Sequence, residues 1–138
     1  MIRKILLAYD GSEPAKKAFE FALDLARKYE AQLQVLTVVR PPEFAEDVET
    51  EAVIENSRAY HEKLQTPLAL EAAAQGVKAS TEVAVGHPAE QIIYAADRYR
   101  ADLIVVGHRG KTLFQRLLLG SVSKQVIQYA GRAVLVVR

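Results

Sequence analysis

Short apolar runs alternate with segments whose apolar residues recur every three or four positions, and the alternation continues along the whole chain. Residues 4–9 (KILLAY) form a nearly continuous apolar run, the pattern of a strand covered on both faces. The run stops at Asp10-Gly11-Ser12. Ser12 is a good helix N-cap and Pro14 is tolerated in a first helical turn. Beyond them Ala15, Ala18, Phe19, Ala22, Leu23 and Ala26 recur at helical spacing, which predicts strand, tight turn, helix. Residues 33–39 (LQVLTVV) read as a second buried strand, ended by Arg40-Pro41-Pro42 because proline cannot extend a central ladder.

The stretch 48–75 is polar and alanine-rich and reads as helix, with Gly76 placed where a left-handed C-terminal cap would sit. Pro67 interrupts it, so either the helix kinks there or two helices meet near Gln65 and Thr66; a kink is the reading adopted. Val77, Ala79, Thr81, Val83 and Val85 then alternate as in a strand buried less evenly than the others. Gly86-His87-Pro88 leads into a helix over 89–99 with Ile92, Ile93 and Ala96 inward. Residues 103–106 (LIVV) predict the fourth strand, 121–130 a helix closed by Gly131, and Ala133–Val137 (AVLVV) the fifth strand.

Strands alternating with helices, each strand an apolar run, predict an α/β fold: one open five-stranded parallel sheet, helices on both faces, right-handed crossovers. With 138 residues, half of them hydrophobic, the chain is expected to form one domain over 1–138. In such sheets ligands bind beyond the carboxyl ends of the strands, where the strand order reverses. The candidate site residues therefore follow strands one, two and four: Asp10-Gly11-Ser12, then 38–42, then Gly107 onward.

Charge adds little drive toward nucleic acid or membranes, because 18 basic residues nearly cancel 17 acidic ones; any anion site must be local. Cysteine is absent, which excludes disulfides and thiolate metal sites and fits a cytoplasmic chain. The opening apolar run is too short to span a membrane and meets charge at once, so a soluble, unprocessed protein is expected.

The local anion candidate is 107–123, GHRGKTLFQRLLLGSVS. Its GKT imitates the end of a P-loop, but the glycine required five positions earlier is Val105. The dinucleotide fingerprint fails too, since Gly107 and Gly110 are three apart. What remains is G-x2-G-x9-G-S, formed by Gly107, Gly110, Gly120 and Ser121. Glycines leaving a strand let backbone approach a ligand or adopt positive φ, and a helix beginning at Gly120-Ser121 presents free N–H groups and its dipole to an anion. Arg109, Lys111 and Arg116 lie between and could assist. The spacing alone is equally compatible with a long surface connection whose glycines are turn punctuation and whose Ser121 is only an N-cap.

That motif, followed by Val122-Ser123, Val126 and the closing AVLVVR, resembles the universal stress protein family, as do KILLAYDGS, LTVV and GHPAEQIIYAA; the likeness covers essentially the whole chain. It implies a sheet in the order 3-2-1-4-5, a homodimer, and, in the branch carrying the glycine motif, an ATP site with a divalent ion, Mg or Mn, bridging the phosphates. By position Asp10, with Gly11 and Ser12 beside it, resembles the acid near ribose and adenine. Val38 resembles the strand-two residue that meets adenine. Gly107, Arg109, Gly110, Gly120, Ser121 and Val122 resemble the phosphate and ribose cradle, with Ser123 adding a hydroxyl. Two departures stand out: Thr37 occupies a position where many members have histidine, which would retune the adenine edge, and Gly131-Arg132-Ala133 replaces a usual proline, which would loosen the start of strand five.

Other chemistries are poorly supported. Asp10, His108 and Ser121 have the residue types of a hydrolase triad, but no nucleophile elbow surrounds Ser121. His61, His87 and His108 show no ligand spacing, and His108 reads as a residue lining the loop. The acidic stretch 43–51 (EFAEDVETE) reads as a plain connection or as a lid. The apolar Ala133–Val137 would leave a sheet edge exposed, and pairing with a second copy would cover it. The expectation is an ATP-binding regulatory protein with no catalytic residue. A slow ATPase or phosphoryl-transfer enzyme and an interaction module without nucleotide are the alternatives.

Overall fold

The computed structural model describes residues 1–41, 48–108 and 120–138. Its elements in chain order are β1 (Lys4–Ala8), α1 (Glu13–Tyr29), β2 (Gln32–Val39), α2 (Val48–Ala74), β3 (Ala79–Val85), α3 (Pro88–Tyr99), β4 (Leu103–Gly107), α4 (Ser121–Tyr129) and β5 (Ala133–Val137). The five strands form one parallel sheet in the order β3-β2-β1-β4-β5, the order the family resemblance implies.

The local signals act as their chemistry requires. Ser12 caps α1 by accepting the Ala15 N–H at 3.3 Å, and the six apolar residues predicted for the inner stripe are all buried. A single helix, α2, runs through Pro67, so the reading with two helices fails. Gly76, at φ 76°, ends it, and the Val77 N–H returns to the Ala72 carbonyl at 2.9 Å in a Schellman closure. That bond explains why β3 begins at Ala79 rather than at Val77: the Val77 amide is already spent on the helix end. Edge position explains the uneven burial of β3.

The sheet divides two apolar layers. Ile5, Leu7, Leu33 and Val35 pack against α1 and α2, while Leu6, Leu36, Ile104 and Val106 pack against α3 and α4. Successive strand residues point to opposite faces, so an unbroken apolar run serves both layers. Buried polar groups tie the first layer together. Gln65 of α2 donates from Nε2 to Thr37 Oγ1 at 2.9 Å and to the Glu82 carbonyl at 2.8 Å, and the Thr37 hydroxyl donates to the Tyr9 carbonyl at 2.7 Å.

The start of β5 is held rather than loosened. Arg132 donates to Asp97 Oδ1 at 3.1 Å and to the Ala101 carbonyl at 2.5 Å, fastening the turn before β5 to the end of α3. At the same end of the sheet the Asp102 carboxylate accepts the N–H groups of Arg3 and Lys4 at 2.9 and 3.0 Å. These two amide bonds hold its carboxyl below the ordinary carboxylate value. Among the described residues no helix is long and apolar enough to cross a membrane.

Candidate functional site

Chain direction determines where a site can form. All five strands run the same way, and β1 has β2 on one side and β4 on the other, so the crevice where connections diverge lies above the carboxyl end of β1. A cavity of about 420 Å³ occupies that position, within the size range of small-molecule sites. Its walls come from the ends of β1, β2 and β4 and from the first turns of α1, α3 and α4.

Most residues singled out from the sequence meet there. Asp10, Ser12, Val38, Gly107 and the run from Gly120 to Ser123 all line the cavity. Gly11 does not; its φ of 81° lets the chain turn between β1 and α1. Arg109 and Gly110 lie outside the described residues, as do Lys111, Arg116 and positions 43–47 of the acidic stretch.

Asp10 has a local task as well as its place in the wall. Its Oδ1 accepts the Ser12 N–H at 3.0 Å and the Ser12 hydroxyl at 2.5 Å, so the acid sets the turn that begins α1. Tyr9 beside it stays protonated through the neutral range: burial raises its phenol, Lys16 opposes this, and Asp10 and Glu13 reinforce it.

The first turn of α4 is arranged differently. Gly120, not Ser121, is the N-cap, so no side chain caps this helix, and Ser121 takes the first helical position. The first backbone bond of the helix runs from Lys124 N–H to the Gly120 carbonyl at 2.9 Å. The amides of Ser121, Val122 and Ser123 therefore have no intrahelical acceptor and point out of the helix end. Ser123 is 5 % exposed, and its hydroxyl makes no hydrogen bond to the described residues although it lines the cavity.

The two described motif glycines have different physical reasons. A Cβ at Gly107 would lie 2.7 Å from the Pro14 carbonyl group and 2.9 Å from the Ala15 nitrogen, so here the close approach is made by α1. A Cβ at Gly120 would meet none of the described residues within 4 Å, and neither Gly120's φ of −61° nor any described neighbour demands glycine there.

Thr37 faces α2, away from the cavity, and is occupied by Tyr9 and Gln65, so it is not placed to retune any ligand in the cavity. The residue on the cavity face is Arg40, two beyond Val38, which lines the cavity and has no hydrogen-bond or ion-pair partner among the described residues. Its signal in the sequence was that two-residue step. His108 was read as a loop residue, but it is 3 % exposed and its Nδ1 accepts the Gly120 N–H at 3.3 Å.

The model of the universal stress protein family matches residues 1–138. The chain belongs to that family. A family member from Thermus aquaticus is 37% identical over 140 residues, covering 100% of both chains. In structure the chain is similar to the universal stress protein UspA of Lactobacillus plantarum, with a TM-score of 0.88, 25% identity, and coverage of 99% of this chain and 98% of that one. It is also similar to a universal stress protein crystallised in complex with cAMP, with a TM-score of 0.76, 27% identity, and coverage of 99% and 97%.

Proposed function

We propose that this universal stress protein binds ATP in the crevice above β1 and acts as a regulator whose nucleotide state governs its contacts. The observation that carries the reading is the uncapped start of α4. Three amides unpaired among the described residues, the hydroxyl of Ser123 and a glycine whose Cβ position no described residue approaches within 4 Å all belong to one cavity. A helix N-terminus with unpaired amides attracts phosphate oxygens through hydrogen bonds and its dipole. A Cβ at Gly120 would occupy the room that a phosphate needs, so the residues present fit the group.

In this reading the phosphates lie on Ser121, Val122 and Ser123, with Arg109 and Gly110 completing the motif. Asp10, held by Ser12, meets the ribose, and Val38 meets the adenine. The relative crystallised with cAMP supports an adenine ligand. ATP supplies a dissociable polyphosphate. A divalent ion, Mg or Mn, bridging those phosphates would draw most of its ligands from the nucleotide, since the described residues offer no group of three acidic, histidine or cysteine side chains. One oxygen of Asp10 is already engaged by Ser12, which favours holding the nucleotide over reacting with it.

The same proposal includes a cytoplasmic homodimer joined through Ala133–Val137. β5 ends the sheet, and its Val134, Leu135 and Val136 are only half-buried. The decisive experiment is acid release of bound material from freshly purified protein, identified by mass spectrometry, with calorimetric titration of ATP. Released adenine nucleotide or measurable affinity is expected. Protein that carries no nucleotide and shows no heat with ATP would overturn the reading, and a monomer at micromolar concentration in sedimentation would remove the dimer.

A further inference from the structure

The amides of the proposed phosphate cradle depend on how the peptide before them is held. No side chain caps α4, so the direction of its first turn is set by whatever fixes Gly120. Gly120 has no Cβ to pack, and a Cβ there would find none of the described residues within 4 Å, so packing against them does not fix it.

The fixed point is His108. Its backbone N–H extends the β4–β5 ladder by donating to the Val137 carbonyl at 2.7 Å, which roots the residue in the rigid sheet. Its ring is buried, and Nδ1 accepts the Gly120 N–H at 3.3 Å. Acceptance at Nδ1 means that the neutral ring carries its proton on Nε2. The imidazole thus joins the two ends of the glycine motif, twelve residues apart, through one directed bond.

We infer that His108 is a positioning residue for the anion cradle. By taking the Gly120 N–H it orients the peptide plane that opens α4 and directs the next three amides into the cavity. The inference rests on the nucleotide reading above and assigns the ring no contact with the ligand. It also divides the work among the amides: Gly120 serves the protein, while Ser121, Val122 and Ser123 serve the phosphates. Anion sites are sensitive to sub-ångström placement of their donors, so a bond that never touches the ligand still changes affinity.

The test compares His108→Leu, which keeps bulk but loses the acceptor, with His108→Asn, whose Oδ1 lies close to the place of Nδ1. Calorimetric titration measures ATP and adenosine against both variants and the parent protein. Loss of one neutral hydrogen bond corresponds to roughly a 3- to 10-fold change. His108→Leu is expected to bind ATP roughly 3- to 10-fold more weakly with adenosine affinity unchanged, and His108→Asn to recover most of the ATP affinity. Equal ATP affinity in parent and His108→Leu would overturn the inference. So would a parallel loss of ATP and adenosine binding, which marks a merely structural role, or a failure of Asn to recover any affinity in a protein that melts normally. If the parent itself binds neither ATP nor adenosine, the nucleotide reading fails, and with it the basis for this role. A failure confined to the variants leaves that reading standing.

Discussion

Replacing Gly107 by alanine tests whether this glycine serves the protein or the ligand. The added Cβ would lie 2.7 Å from the backbone carbonyl group of Pro14, about 0.7 Å short of ordinary contact, with the Ala15 nitrogen at 2.9 Å behind it. All three atoms belong to the first turn of α1, which Ser12 holds by its cap, so no flexible side chain can yield. Either the helix start or the end of β4 must move. Overpacking of this kind costs about 1–3 kcal/mol. Against it stands the reduced freedom of the unfolded chain, about 0.4–1 kcal/mol in favour of alanine, which applies because Gly107 lies outside the left-handed region. Taking the middle of each range, the net loss is about 1.3 kcal/mol, and for 138 residues this lowers the melting temperature by about 4–5 °C. Thermal melts followed by circular dichroism, without nucleotide, measure it directly. A Gly107→Ala protein melting within a degree of the parent would refute the steric reasoning and return the position to the ligand.

Gly120→Ser has the opposite signature: the new hydroxyl caps α4 and stabilises the protein by a few tenths of a kcal/mol. It also takes amides and space from the phosphates, so weaker ATP binding with an unchanged or slightly higher melting temperature is expected from paired calorimetry and melts. Gln65→Leu removes the buried donor shared by the Thr37 hydroxyl and the Glu82 carbonyl, two hydrogen bonds at once. Urea unfolding should show a loss of about 1–3 kcal/mol. For Asp102→Asn the sign follows from a depressed carboxyl: its contribution is present above the unfolded-state value and is lost as pH falls through the lower folded value. Stability measured against pH should show the variant below the parent at neutral pH and the gap closing in acid; a gap that widens in acid would contradict the amide bonds as its source.

Much of the fold was legible because parallel sheets covered on both faces demand continuous apolar runs, and few other arrangements do. The six-residue stripe of α1, the cap at Ser12 and the left-handed Gly76 each express a local rule that the sequence carries openly. Boundaries were less legible where two elements compete for one amide, as Val77 shows by closing α2 instead of opening β3. Thr37 and Arg40 show a second difficulty. Which face a strand residue takes follows from alternation, but whether that face meets a helix or the crevice depends on which layer closes over it.

The glycine motif shows the deeper reason why a site is harder to read than a fold. Gly107 and Gly120 look alike in the sequence, and both were assigned to the ligand. In the structure one lacks a side chain because α1 passes against it, and the other because nothing in the described protein occupies that place. A glycine reports only that something must come close, and the fold identifies what. His108 is the converse case. A buried imidazole bonded to an amide twelve residues away has no local pattern, because its partner is chosen by where α4 starts relative to β4. The residues that touch a ligand are therefore more legible than those that aim them, since contact residues cluster in a motif while aiming residues are defined by tertiary geometry.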